Sequence, residues 1–132
     1  MQSHLYVGIV TLLAVLVYFW MSTQVARTRY KVGIFAPVMT GDPLLERTIR
    51  AHVNTLEWLP IFLPSLWLAA LYWSDRVAAI AGLVWVVGRI VYFVGYCIDA
   101  SKRSPGFFIQ VSAVAVLLLG ALGHMIYLAA TV

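Results

Sequence analysis

Residues 46–60 read ERTIRAHVNTLEWLP, and the chain continues from residue 61 as IFLPSLWLAALYW. The first half of this run carries Arg47, Arg50, His52, Asn54 and Glu57, while the second half is apolar enough to lie in a bilayer. On a helix, Arg47, Arg50, Asn54 and Glu57 are spaced three, four and three residues apart. At about 100° per residue they fall within an arc of roughly 80°. The run therefore reads as one long helix with a single polar stripe, and its surroundings have to account for that stripe.

The composition says what those surroundings are. Of 132 residues 63% are hydrophobic and only 11% charged, with a mean hydropathy of +0.93. A water-soluble domain carries about a quarter charged residues, so the balance points to a membrane protein. The length suits one domain of three or four spanning helices at about 20 residues each. It is too short for a transporter of inverted repeats, and no repeat is visible. The formal charge of +4 is carried beside apolar spans. It fits juxtamembrane anchoring and capture of a small anion rather than a nucleic-acid footprint. The lone Cys97 excludes an intrachain disulfide and a cysteine-built metal cluster. The start, MQSHLYVGIV, lacks a basic leader and a small-residue cleavage pattern, and reads as a retained first helix.

Working outward, four helices are expected at roughly 5–25, 43–73, 77–103 and 107–130, an all-α, up-down bundle. Asp42 is a predicted N-cap with Pro43 at the first helical position. Pro60 and Pro64 predict a bend inside the second helix. Pro105 and Gly106 separate the third from the fourth. Arg27, Arg29, Lys31, Arg47, Arg50, Lys102 and Arg103 fall on one side and Arg76 alone on the other. The positive-inside rule then places the two long connections in the cytoplasm and both termini outside.

The third helix repeats the pattern of the second: Arg89, Tyr92, Tyr96, Asp99 and Arg103 also fall within roughly 80° of each other. Both stripes lie toward the cytoplasmic ends of their helices, so they can converge on one cavity. Interhelical ion pairing, Glu57 with Arg89 for example, and arginines snorkelling to headgroups are the alternatives. Snorkelling suits Arg47 and Lys102 but not Glu57, about three turns into its helix. Arginines, a carboxylate, an amide and two phenols suit a zwitterion, the arginines taking its carboxylates and the glutamate its ammonium. His52 lies about 140° from Arg47, off the stripe, where it either packs or serves a subunit interface. No second histidine or cysteine stands at ligand spacing, so no metal is expected. Cys97 sits beside the stripe without a paired base.

At this point a family resemblance becomes visible. TGDPLLERTIRAHVNTLEWLPIFLPSLWLA closely resembles the signature of the MAPEG family, the membrane-associated proteins in eicosanoid and glutathione metabolism. GRIVYFVGYCIDASKRSPG is similar to that family's second conserved region. The resemblance covers nearly the whole chain and implies a homotrimer of four-helix bundles with glutathione, a co-substrate, held between adjacent subunits. By position it implies that Arg50, Asn54, Glu57 and Trp58 line glutathione from one subunit, and that Arg29, His52, Arg89, Tyr92, Tyr96 and Arg103 come from its neighbour. Trp58 stands where some members have tyrosine. Arg103 matches an arginine assigned to the glutathione thiolate, and Ser104 a serine proposed to assist the thiol. The implied activity is glutathione transfer to hydrophobic electrophiles, with reduction of lipid hydroperoxides beside it, in the bacterial inner membrane. A non-catalytic lipid-binding or scaffold member and a glutathione-dependent isomerase of lipid endoperoxides are the rivals.

Overall fold

Asp42 and Ser74 start two helices by the same device, each in extended backbone with its side chain accepting an amide three residues on. Asp42 Oδ1 takes Leu45 N–H at 3.0 Å, and Ser74 Oγ takes Val77 N–H at 3.2 Å. Each cap satisfies one of the amides that a first turn leaves without a partner. The computed structural model describes residues 3–132, so Met1 and Gln2 of the MQSHLYVGIV stretch lie outside it. Its helices are α1 (Leu5–Val32), α2 (Pro43–Tyr72), α3 (Asp75–Ile98) and α4 (Ser104–Thr131), with a 3₁₀ turn at Ala100–Arg103 between the last two. All four long helices are long and apolar enough to cross a membrane.

The order is up-down. His4, before α1, meets Asp75, at the start of α3, at 2.8 Å, and Trp73, after α2, stacks on His124 near the end of α4 at 5.0 Å. One end of the bundle therefore holds the starts of α1 and α3 and the ends of α2 and α4. α3 is central, packing against the three other helices. Phe62 and Trp85 stack at 3.9 Å in the core, and Trp85 Nε1 donates to Gln110 Oε1 at 3.0 Å. Gly82 admits Val10 and Leu66, and Gly88 admits the Gln110 backbone. Small residues let helices approach closely where lipid supplies no hydrophobic drive.

Three boundaries differ from the sequence expectation. α1 continues to Val32 instead of stopping near Val25, and ends on Gly33 at φ 75°, whose N–H returns to Arg29 O. Hydropathy marks where the bilayer ends, whereas arginine and lysine are good helix formers and suit a C-terminal turn. α3 stops at Ile98, not Arg103, because Asp99 turns extended and its carboxylate accepts Ser101 N–H at 2.9 Å and Ser101 Oγ–H at 3.0 Å. α4 begins at Ser104 rather than Phe107, with Pro105 in its first turn, where a missing N–H costs nothing. α2 runs unbroken through Pro60 and Pro64.

Candidate functional site

The break at Asp99 places the end of α3, the 3₁₀ turn and the start of α4 against the first half of α2. Between them lies a hollow of about 480 Å³ lined by Arg50, Asn54, Tyr92, Tyr96, Arg103, Ser104, Phe107 and Phe108. That volume lies within the range of small-molecule sites. A second hollow of about 440 Å³, under the loop at Met39 and Thr40, shares Arg50 and Tyr96 as a common wall. The two predicted stripes therefore meet within one chain, where Tyr92, Tyr96 and Arg103, expected from a neighbouring subunit, share a hollow with Arg50 and Asn54 of their own chain. Arg103 reaches the hollow from the 3₁₀ turn, its Cζ 5.6 Å from the Tyr96 ring centre. The loss of helical phase at Asp99 does not take Arg103 away from Tyr96, because the turn folds back over α3.

A polar chain backs this hollow. Arg89 is fully buried. Its Nη2 donates to Thr55 Oγ1 at 2.6 Å and Asn54 Oδ1 at 3.1 Å, and its Cζ sits 4.1 Å above the Tyr92 ring. Asn54 Nδ2 in turn donates to Glu57 Oε1 at 3.5 Å. A cation inside the bundle is thus linked through one amide to a carboxylate on the outer face of α2, where Glu57 is exposed in the single chain. The Glu57–Arg89 contact weighed from the sequence is replaced by this relay through Asn54. Thr55 Oγ1 also donates to Ala51 O at 3.0 Å, which orients its lone pairs toward Arg89.

The remaining sequence-predicted residues stand outside the lining of the hollow in one chain. Arg29 donates to Val38 O at 2.6 Å and Ile34 O at 3.3 Å, holding the loop between α1 and α2. His52 turns toward α1 and stacks on Tyr18 at 4.6 Å, with its Nε2 buried and unpartnered among the described residues. Trp58 packs edge-on to Phe107 at 6.0 Å, behind the apolar wall. Arg47 is a correction: its side chain does not run out to the surface but donates from Nε and Nη2 to Cys97 O, at 3.4 and 3.2 Å. Sequence reasoning missed Phe107 and Phe108, hidden in an apolar run, and Thr55. The signal for Thr55 was a hydroxyl next to Asn54 within the polar run of α2.

Chemically, two arginines, an amide and two phenols form one wall of the hollow and two phenylalanines another. The guanidiniums bind carboxylates and stay charged at any working pH. The start of α4 adds the partial positive charge of a helix N-terminus beside Arg103. The turn that carries Arg103 is itself fixed electrostatically: the bonds from the Ser101 amide and hydroxyl hold the Asp99 carboxyl below the usual aspartate range. At neutral pH the cap is therefore fully charged.

The profile of the MAPEG family matches residues 7–123, and curated relatives align over most of the chain. The chain belongs to the MAPEG family. Among its relatives is an uncharacterised protein of Synechocystis, 42% identical over 118 residues, covering 89% of this chain and 86% of that one. Human microsomal glutathione S-transferase 2 is 42% identical over 105 residues, covering 79% of this chain and 71% of its own. Leukotriene C4 synthase of Cavia porcellus is 40% identical over 125 residues, 92% and 83%. This MAPEG chain thus combines four apolar helices with a polar hollow at one end of the bundle, and has a glutathione S-transferase among its relatives.

Proposed function

We propose that this MAPEG protein is a membrane-bound glutathione transferase, conjugating glutathione to hydrophobic electrophiles and reducing lipid hydroperoxides with the same thiolate. The observation that carries the reading is the convergence of Arg50, Asn54, Tyr92, Tyr96, Arg103 and Ser104 on one hollow, supported by a relative named as a glutathione S-transferase. Arg50 binds a glutathione carboxylate, and Glu57, supported by Asn54, binds the ammonium. Arg103 pairs with the sulfur. Arg89 and Trp58 act from behind, on Asn54 and Phe107. Arg29, tied to the loop, and His52, turned toward α1, act where adjacent copies of a homotrimer meet, so that each glutathione is shared between two subunits. Both termini lie outside and the hollow faces the cytoplasm, in the bacterial inner membrane.

The mechanism needs no base from the protein. A free thiol with a pKa of about 8.5 is only a few per cent thiolate at neutral pH. A fixed guanidinium beside it, in a site of lowered dielectric, favours the anion by about 1.4 kcal/mol per pKa unit. A shift of about two units turns the minor form into the major one, and the released proton goes to water. The sulfur lone pair then forms a bond to the electrophilic carbon while the leaving group departs with its electrons. Ser104, at the first turn of α4, donates a hydrogen bond to the same sulfur. Tyr92 and Tyr96 hold the peptide. Phe107 and Phe108 form the apolar side on which the lipid-borne substrate approaches.

The test is purified protein in detergent, assayed with glutathione and an aryl halide or cumene hydroperoxide while the ultraviolet absorbance of the thiolate is followed. Arg103→Ala is expected to lose most activity and the thiolate signal, with glutathione affinity reduced only a few-fold. Wild-type activity in that variant would remove Arg103 from the mechanism.

A further inference from the structure

We propose that Arg47 is a positioning residue for Arg103: its guanidinium takes the carbonyl that α3 abandons when the chain breaks at Asp99, and this holds the turn on which Arg103 stands. The inference rests on the reading of Arg103 as the thiolate partner.

The hydrogen bonds around the break follow one logic. A helical carbonyl at Cys97 would accept the N–H of Ser101, four residues on. That N–H is diverted to the Asp99 carboxylate at 2.9 Å. Asp99 N–H still closes the helix on Gly95 O at 3.0 Å, and Lys102 N–H closes the turn on Asp99 O at 2.9 Å. Cys97 O is left over, and Arg47 supplies two N–H groups to it from α2, fifty residues earlier in the chain. A carbonyl without a donor at the margin of a bilayer is costly. Without Arg47, the cheapest remedy is to return the Ser101 amide and carry the helix on. A continued helix would set Arg103 about 10 Å along the axis from Tyr96, seven residues at 1.5 Å each. In the observed turn the backbone instead folds back on α3, with the Lys102 carbonyl where a Cβ on Gly95 would lie, and the Arg103 guanidinium carbon stands 5.6 Å from the Tyr96 ring centre. Gly95 completes the arrangement, because an added Cβ there would run into the Lys102 carbonyl.

Arg47 lines the neighbouring hollow under the Met39–Thr40 loop, not the one that holds Arg103, so it acts through the turn without touching the sulfur. The experiment compares wild type, Arg47→Ala, Arg47→Lys and Arg103→Ala, purified in detergent. Amide hydrogen exchange across residues 97–103 is read without ligand, and glutathione affinity, thiolate absorbance, kcat and KM with it. Arg47→Ala is expected to speed exchange at 97–103 at least about 10-fold, and to lower kcat and thiolate absorbance roughly 10- to 100-fold, as a small misplacement does. KM for glutathione should change less than about 3-fold. Arg47→Lys, with a single donor group for the same carbonyl, is expected to restore part of both losses, which covers the case in which the alanine variant fails to fold. Unchanged exchange at 97–103 in a folded Arg47→Ala overturns the proposal, as does exchange in Arg47→Lys no slower than in the alanine variant. So does faster exchange with an unchanged thiolate signal. If wild type itself binds no glutathione, the functional reading fails, and exchange at 97–103 still decides whether Arg47 holds the turn.

Discussion

At Gly106 an added Cβ would lie 2.5 Å from Tyr92 Cα and 2.8 Å from Gly88 O, and closer still to the Tyr92 amide nitrogen. All three are backbone atoms of α3, which no rotamer change can move aside. The first turn of α4 therefore sits directly on the helix that supplies both tyrosines, and the distance between Ser104 and Tyr92 depends on that closeness. Gly106→Ala is expected to cost about 1–3 kcal/mol of stability, the usual range for overpacking a close interface, and to lower activity with it. Gly8, in α1, has nothing among the described residues within 4 Å of an added Cβ. There the helix propensity of alanine is the larger effect, and Gly8→Ala should be neutral or stabilising by up to about 1 kcal/mol. Thermal unfolding of the detergent-solubilised protein separates the two. Equal midpoints for both variants would mean that the α3–α4 contact is looser than these distances imply.

At the scale of elements, the break between α3 and α4 decides what the polar stripe of the third helix becomes. Asp99 is counted by phase as a member of that stripe, but it serves instead as the cap of the 3₁₀ turn. Its carboxyl is held low by the Ser101 amide and hydroxyl, so its contribution is complete above the unfolded value of about 3.9 and lost as pH falls through the lower folded value. Between about pH 6 and 9 the cap does not titrate, and a rise of rate with pH in that window reports the glutathione thiol. Asp99→Asn keeps an oxygen acceptor and should retain most activity, while Asp99→Ala should lose several-fold in kcat and exchange the Ser101 amide faster. Equal rates for the two variants would deny the cap a part in placing Arg103. The same break explains what was legible beforehand. The Asp42 cap, the up-down order and the convergence of the stripes follow from local spacing and hydropathy. The early end of α3 and the reach of α1 to Val32 do not, because they turn on local caps, Asp99 with Ser101 and Gly33 with Arg29, that hydropathy and helical phase do not register; the fork of Arg47 does not, because its carbonyl lies fifty residues along the chain. Arg89 shows the same limit: helical phase put it on the stripe, but only packing against Asn54 and Thr55 turns it inward.

At the scale of the whole molecule, Glu57 remains the test. It lies about four turns past the start of α2 at Pro43, exposed in the single chain, with Asn54 Nδ2 at 3.5 Å as its hydrogen-bond partner. A carboxylate facing lipid near mid-span costs about 2.5–3.5 kcal/mol even on the lenient insertion scales. One long amide contact does not offset that, since hydrogen bonds to charged groups contribute about 1.5–3 kcal/mol at good geometry. His52 poses a similar demand on another side of the same helix, with a buried Nε2 lacking a partner among the described residues. Two unmet polar groups on different faces of α2 are what a helix between neighbouring copies would carry, one covered by a subunit and the other by a shared ligand. Light scattering of the detergent complex is therefore expected to give a protein mass three times the 14.7 kDa chain. Glu57→Gln keeps the shape and the Asn54 contact but removes the charge, so the trimer should persist while glutathione affinity falls about 10-fold or more, the worth of one charge-assisted bond. If Glu57→Gln instead dissociates the assembly and leaves affinity per chain unchanged, the carboxylate belongs to the subunit contact, and the ammonium of glutathione is held elsewhere.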